Sequence, residues 1–115
     1  MKIVLDTNVI ISGFLFPGGA PDKIVRAVLA GTFQNATSPD LLTELKRVLK
    51  KKFHLPEAKL GSMVNLIAEA SEIVYPLERL DVIKSDLSDN RVLECAETAK
   101  AAIIVTGDTK HLTPT

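Results

Sequence analysis

Four carboxylates hold the clearest chemical promise in this chain. Asp6 directly follows the apolar run from Ile3 to Leu5, and Asp108 follows the apolar run from Ala101 to Val105, with only Thr106 and Gly107 between. If both runs are strands, both acids leave a sheet at strand ends. Glu44 lies three residues after Leu41 and four before Val48, on or beside the stripe that a helix would turn towards a core. An ionised carboxylate left unpaired there costs several kcal/mol, on the order of ten times what its helix propensity returns. Asp89 stands four residues before Leu93 and seven before Ala96, at the start of a helical pattern, and points along its apolar face.

Each acid also has an ordinary role. Asp6 can cap a helix, Asp108 can serve a turn, Glu44 can pair with a neighbouring cation at a rim, and Asp89 can complement a helix dipole. Asp86 reads as a loop or capping acid. As a set, the four make a case for metal. Two carboxylates about 4 Å apart repel by roughly 4 kcal/mol at an effective dielectric of about 20, and a divalent cation reverses that sign. Hard oxygen donors suit Mg2+ or Mn2+, and no grouping of Cys and His points to zinc. His54 and His111 read as surface or loop residues.

The elements that must position these acids alternate in type. Lys2 to Leu5 has no polar alternation, the mark of a central parallel strand covered on both faces. A short helix follows, capped by Asp6 or Asn8 and broken at Pro17-Gly-Gly. A second helix carries Ile24, Val25, Val28 and Leu29 and ends at Gly31. Phe33 to Thr37 is a weak strand candidate. Ser38 and Pro39 then supply a cap and first turn for a helix bearing Leu41, Leu42, Leu45, Val48 and Leu49. Another helix begins near Pro56 with Leu60, Met63, Val64, Ile67 and Ala68 on one stripe. Glu72 to Tyr75 reads as a strand closed by Pro76, residues 76 to 88 as mostly loop, Asp89 to Lys100 as a helix and Ala101 to Val105 as the last strand. This is an α/β pattern with a parallel sheet and right-handed crossovers, whose functional edge lies at the carboxyl ends of the strands.

With 115 residues, of which 46% are hydrophobic and 24% charged, the chain reads as one globular domain spanning residues 1–115. No apolar run is long enough to span a bilayer and no signal peptide opens the sequence, so a cytoplasmic protein without membrane association is expected. The single cysteine, Cys95, suits a small buried hydrophobe better than a nucleophile. Net charge is zero, but residues 1–60 hold nine Lys or Arg against five acids, and residues 61–115 hold five against nine. The basic half suggests a grip for a polyanion beside an acidic, metal-binding edge. Its densest run, Lys46, Arg47, Lys50, Lys51 and Lys52, is read either as a contact to the backbone of that polyanion or as a solvated helix end whose cations suit the dipole.

Four segments, "IVLDTNVIIS", "SPDLLTELKRVL", "DLSDNRVLECAETAKA" and "IIVTGDTKHL", resemble in order and spacing the PIN domains of VapC-like toxin components. The resemblance covers nearly the whole chain. It implies a three-layer α/β sandwich around a central parallel sheet, and an endoribonuclease that uses magnesium or manganese to hydrolyse RNA phosphodiesters. By motif position the acids fall on Asp6, Glu44, Asp89 and Asp108, with Thr7, Asn8 and Thr106 as supporting polar positions. It also implies an antitoxin protein as partner, and a homodimer. Relatives usually continue past "TGD" with another strand and a terminal helix, so a sheet short of that last strand and helix is expected, leaving residues 101 to 105 near an edge.

Two other functions fit parts of the sequence. A phosphatase-like hydrolase also places an aspartate after its first parallel strand, but Asp6-Thr-Asn lacks the second aspartate, two places on, of the haloacid dehalogenase type. A catalytically inactive PIN-like module that binds RNA or protein is the other, and the complete acid set argues against it.

Overall fold

The structure of the chain, a computed structural model, describes residues 1–77 and 87–106, the side chains of residues 87 to 89 excepted. Strand β1 (Lys2–Leu5) leads into helix α1 (Thr7–Leu15) and then α2 (Ala20–Leu29). Strand β2 (Gln34–Thr37) is followed by α3 (Pro39–Lys51) and α4 (Glu57–Glu69). Strand β3 (Ser71–Ile73), helix α5 (Leu87–Ala99) and strand β4 (Ile103–Val105) complete the described elements.

All pairings in the sheet are parallel, in the order β3-β2-β1-β4. The chain steps outward from β1 to β2 to β3 and then returns to the other side of β1. That reversal explains the layers, because a right-handed connection in the opposite direction must cross on the opposite face. Ile3 and Leu5 pack with Val9, Ile10, Val25, Leu45, Leu60 and Ile67, so α1 to α4 cover one face. Val4, Ala36 and Ile104 pack with Val92, Cys95 and Ala99 of α5 on the other. The fold is the expected three-layer α/β sandwich, and both faces of β1 are buried, as its unbroken apolar run requires.

Helix α3 serves both layers. Its Leu41 belongs to the α5 side, whereas Leu45 and Leu49 belong to the α1 side. The helix therefore passes from one layer to the other, and Glu44 lies at the crossing, between Leu41 and Leu45.

Several boundaries differ from the sequence reading; among them β2 begins at Gln34, one residue after Phe33. Strand β3 begins at Ser71 and ends at Ile73, earlier than the expected Glu72 to Tyr75. Its register is held by Asn35, which pairs with Ser71 in the ladder and donates from Nδ2 to Ser71 Oγ at 2.8 Å. Helix α5 starts at Leu87, ahead of Asp89. Strand β4 starts at Ile103 because Lys100 takes a left-handed conformation, φ 57°, and Ala101 N–H turns back to Ala96 O at 3.0 Å. The left-handed turn at Lys100 thus ends the helix after Ala99. Among the described residues no strand lies outside β4, and Ile103 is exposed there.

Candidate active site

In a parallel sheet whose chain reverses direction beside one strand, the crevice at the carboxyl ends of the two strands flanking the reversal is the natural binding place. Here those strands are β1 and β4. Their pairing, Ile3 with Ile103, Val4 with Ile104 and Leu5 with Val105, brings the next residues, Asp6 and Thr106, to one edge. Asp6 N–H extends the ladder by donating to Val105 O at 2.9 Å. Thr106 Oγ1 then donates to Asp6 Oδ2 at 3.3 Å.

Asp6 occupies the N-cap position of α1, as expected, yet its side chain makes no capping hydrogen bond to that helix. Its carboxylate turns instead towards Thr106 and is only 7% exposed. A helix cap gains most from accepting the first-turn N–H groups; a carboxylate aimed elsewhere at this point serves another purpose. Thr7 beside it is buried, whereas Asn8 is exposed on the first turn of α1.

Three helices begin at this edge. Helix α1 follows β1 directly, α3 follows β2 after the single residue Ser38, and α5, which feeds β4 from the opposite end, must begin here as well. Ser38 Oγ accepts Leu41 N–H at 3.3 Å and fixes the start of α3, the role expected of it. Their partly positive N-termini make the edge favourable to phosphate and to carboxylates. Glu44 comes in on α3 with its side chain 18% exposed, and Arg47 Nη2 is 4.0 Å away, a long separation for an ion pair.

The four expected acids are thus placed unequally. Asp6 meets Thr106 at the carboxyl edge, and Glu44 lies in the second turn of α3, the helix that begins there. Asp89 lies in the first turn of α5 by its backbone, and its side chain is outside the described residues, as are all of Asp86, Asp108 and His111. Among the described residues no three His, Cys, Asp or Glu side chains are grouped to hold a metal ion. The described donors, a buried carboxylate with a hydroxyl on it and a half-buried glutamate, are hard oxygens of the kind that suit a divalent cation.

Sequence reasoning passed over Asn90 and Glu94. They are four residues apart on one face of α5, fully and almost fully buried, and Arg91 Nη2 pairs with Glu94 Oε2 at 2.9 Å. A polar Asn and Glu in a helix otherwise read for its apolar stripe was the available signal. Asn35 was also missed: buried in β2, it accepts Leu5 N–H at Oδ1, 2.9 Å, and so steadies the end of β1 that carries Asp6.

The chain matches the PIN domain family over residues 2–110 and belongs to it. It is also similar to the uncharacterized protein MJ1680 of Methanocaldococcus jannaschii, with 34% identity over 112 residues, covering 94% of this chain and 71% of that protein. PIN domains are generally nucleases and typically use divalent metals, in keeping with the oxygen donors of Asp6 and Thr106 at the carboxyl edge. No described helix is long and apolar enough to cross a membrane.

Proposed function

We propose that this PIN domain is an endoribonuclease that hydrolyses phosphodiester bonds of single-stranded RNA, with Asp6, Glu44, Asp89 and Asp108 holding Mg2+ or Mn2+. The observation that carries this reading is the carboxylate of Asp6: buried at the switch point of a PIN fold, it leaves α1 uncapped and is oriented by Thr106. When bound, either ion would lower the pKa of an attacking water and stabilise charge on the phosphate.

The chain's own residues set up the rest. Thr106 holds Asp6 Oδ2 in place, and the helix N-termini favour the negative charge of the phosphate. Glu44 stands at the solvent border of the same edge, and Thr7 and Asn8 follow Asp6 on α1. Thr106 and Ser38 hydroxyls are engaged with Asp6 and the α3 backbone, so water is the nucleophile that fits. Within this class the four motif segments support a toxin restrained by an antitoxin protein and acting in the cytoplasm.

The purified chain should cut labelled single-stranded RNA in manganese, stop in chelator, and lose at least about a hundredfold in rate on Asp6→Asn, the scale of removing a few kcal/mol of transition-state stabilisation. Full activity in that variant, or cleavage indifferent to chelator, would remove Asp6 from the chemistry. Growth arrest on expression, relieved by Asp6→Asn, tests the toxin assignment separately.

A further inference from the structure

Away from the carboxylates, a groove of about 340 Å³ runs between α3 and α4, lined by Thr43, Lys46, Arg47, Lys50, Glu57 and Leu60. Three cations and a hydroxyl face one acid. At 3.6 residues per turn, Lys46, Lys50, Thr43 and Arg47 follow one another around the solvent side of α3, and Glu44 is the neighbour of Arg47 three residues back along the helix, about 60° further round. The basic strip therefore adjoins Glu44, one of the proposed metal ligands, with Arg47 Nη2 4.0 Å from its carboxylate.

The helix dipole accounts for only part of this strip. Lys50 and Lys51 stand in the last turn of α3, where cations are favourable, but Lys46 and Arg47 lie before it. Among the described residues Lys46 has no ion-pair partner, and Arg47 is 57% exposed. Lys50 Nζ meets Glu57 Oε1 at 3.0 Å, with both side chains more than half exposed. Such a pair contributes about 1 kcal/mol or less, so a phosphate can take the place of Glu57. Lys51 and Lys52 do not line the groove.

We propose that the groove between α3 and α4 binds the sugar-phosphate backbone of the RNA strand as it leaves the catalytic edge, with Lys46, Arg47 and Lys50 on successive phosphates and Thr43 donating to a phosphate oxygen. This rests on the ribonuclease reading for the identity of the strand. Glu57 is a competing acid at the far wall, occupying Lys50 until RNA displaces it.

The test is binding of a labelled oligouridylate in chelator, followed across a range of salt concentration. The triple variant Lys46→Gln, Arg47→Gln, Lys50→Gln should flatten the logarithmic salt dependence by about 0.7 for each phosphate no longer neutralised, about two in all. Lys100→Gln, at the opposite end of the sheet, should leave it as in the parent. Glu57→Gln should tighten binding, since it frees Lys50, and melting curves check that each variant is folded. A folded triple variant with the parent's salt slope, or a Glu57→Gln variant that binds more weakly, overturns the proposal. Because binding is read without catalysis, a chain that cuts RNA with a groove-independent slope loses only the groove. One with a groove-dependent slope that never cuts in manganese keeps the groove and loses the ribonuclease.

Discussion

Asp6 was legible because a strand without polar alternation ended on an acid. What the sequence left open was whether that acid caps α1 or faces the sheet edge, since both begin from the same N-cap position. The decision lies in a side-chain torsion and a hydrogen bond with Thr106, 100 residues away, which no local pattern contains. Cys95 shows the opposite case: its apolar surroundings predicted burial, and it is fully buried against Val4, Val92 and Ile104. Burial, with a smaller contribution from the charge of Glu72, pushes its thiol up from 9.0 to about 12. The folded-state value is raised, so the stability from the neutral thiol is complete below pH 9 and is lost as pH climbs towards 12. The stability advantage of the unmodified chain over Cys95→Ala should therefore shrink above pH 9, by up to about 1.4 kcal/mol per pH unit. Denaturant titrations at several pH values measure it, and a constant difference would refute the buried neutral thiol.

Among the elements, helices with a clear apolar stripe and a cap were readable to within a residue or two, as α3 shows with Ser38 and Pro39. Edges of strands were not. The end of α5 uses Lys100 in a conformation usually given to glycine, so no turn residue marked it. Strand β2, with the polar sequence Gln-Asn-Ala-Thr, is buried because Asn35 satisfies Leu5 N–H and Ser71, a long-range fact. The close approach of α1 and α2 was equally hidden. A Cβ at Gly13 would lie 2.5 Å from Val25 Cγ2 and 2.9 Å from Pro21 O. Gly13→Ala should destabilise by about 1–3 kcal/mol, since overpacking outweighs the helix propensity gained, about 1 kcal/mol. Thermal melting would show it, and an unchanged or raised Tm would mean the two helices have room.

At the scale of the molecule, strand order decides where the candidate site can form. Alternating strands and helices implied a parallel sheet, and apolar β1 implied a central place in it, but only the order β3-β2-β1-β4 puts the reversal between the strands that end in Asp6 and Thr106. Helix α3, which carries Glu44, begins at the same edge and crosses between the layers. In the proposed metal centre the carboxylates should repel one another until a cation joins them. The most direct test is the melting temperature of the unmodified chain and of Asp6→Asn during a manganese titration. Ligand at about 100 times its dissociation constant stabilises by about 2.7 kcal/mol. At that concentration the unmodified chain should therefore gain on the order of 10 °C, at about 4 °C per kcal/mol, and Asp6→Asn far less. Equal gains in both proteins, or none in either, would contradict a metal centre built on Asp6.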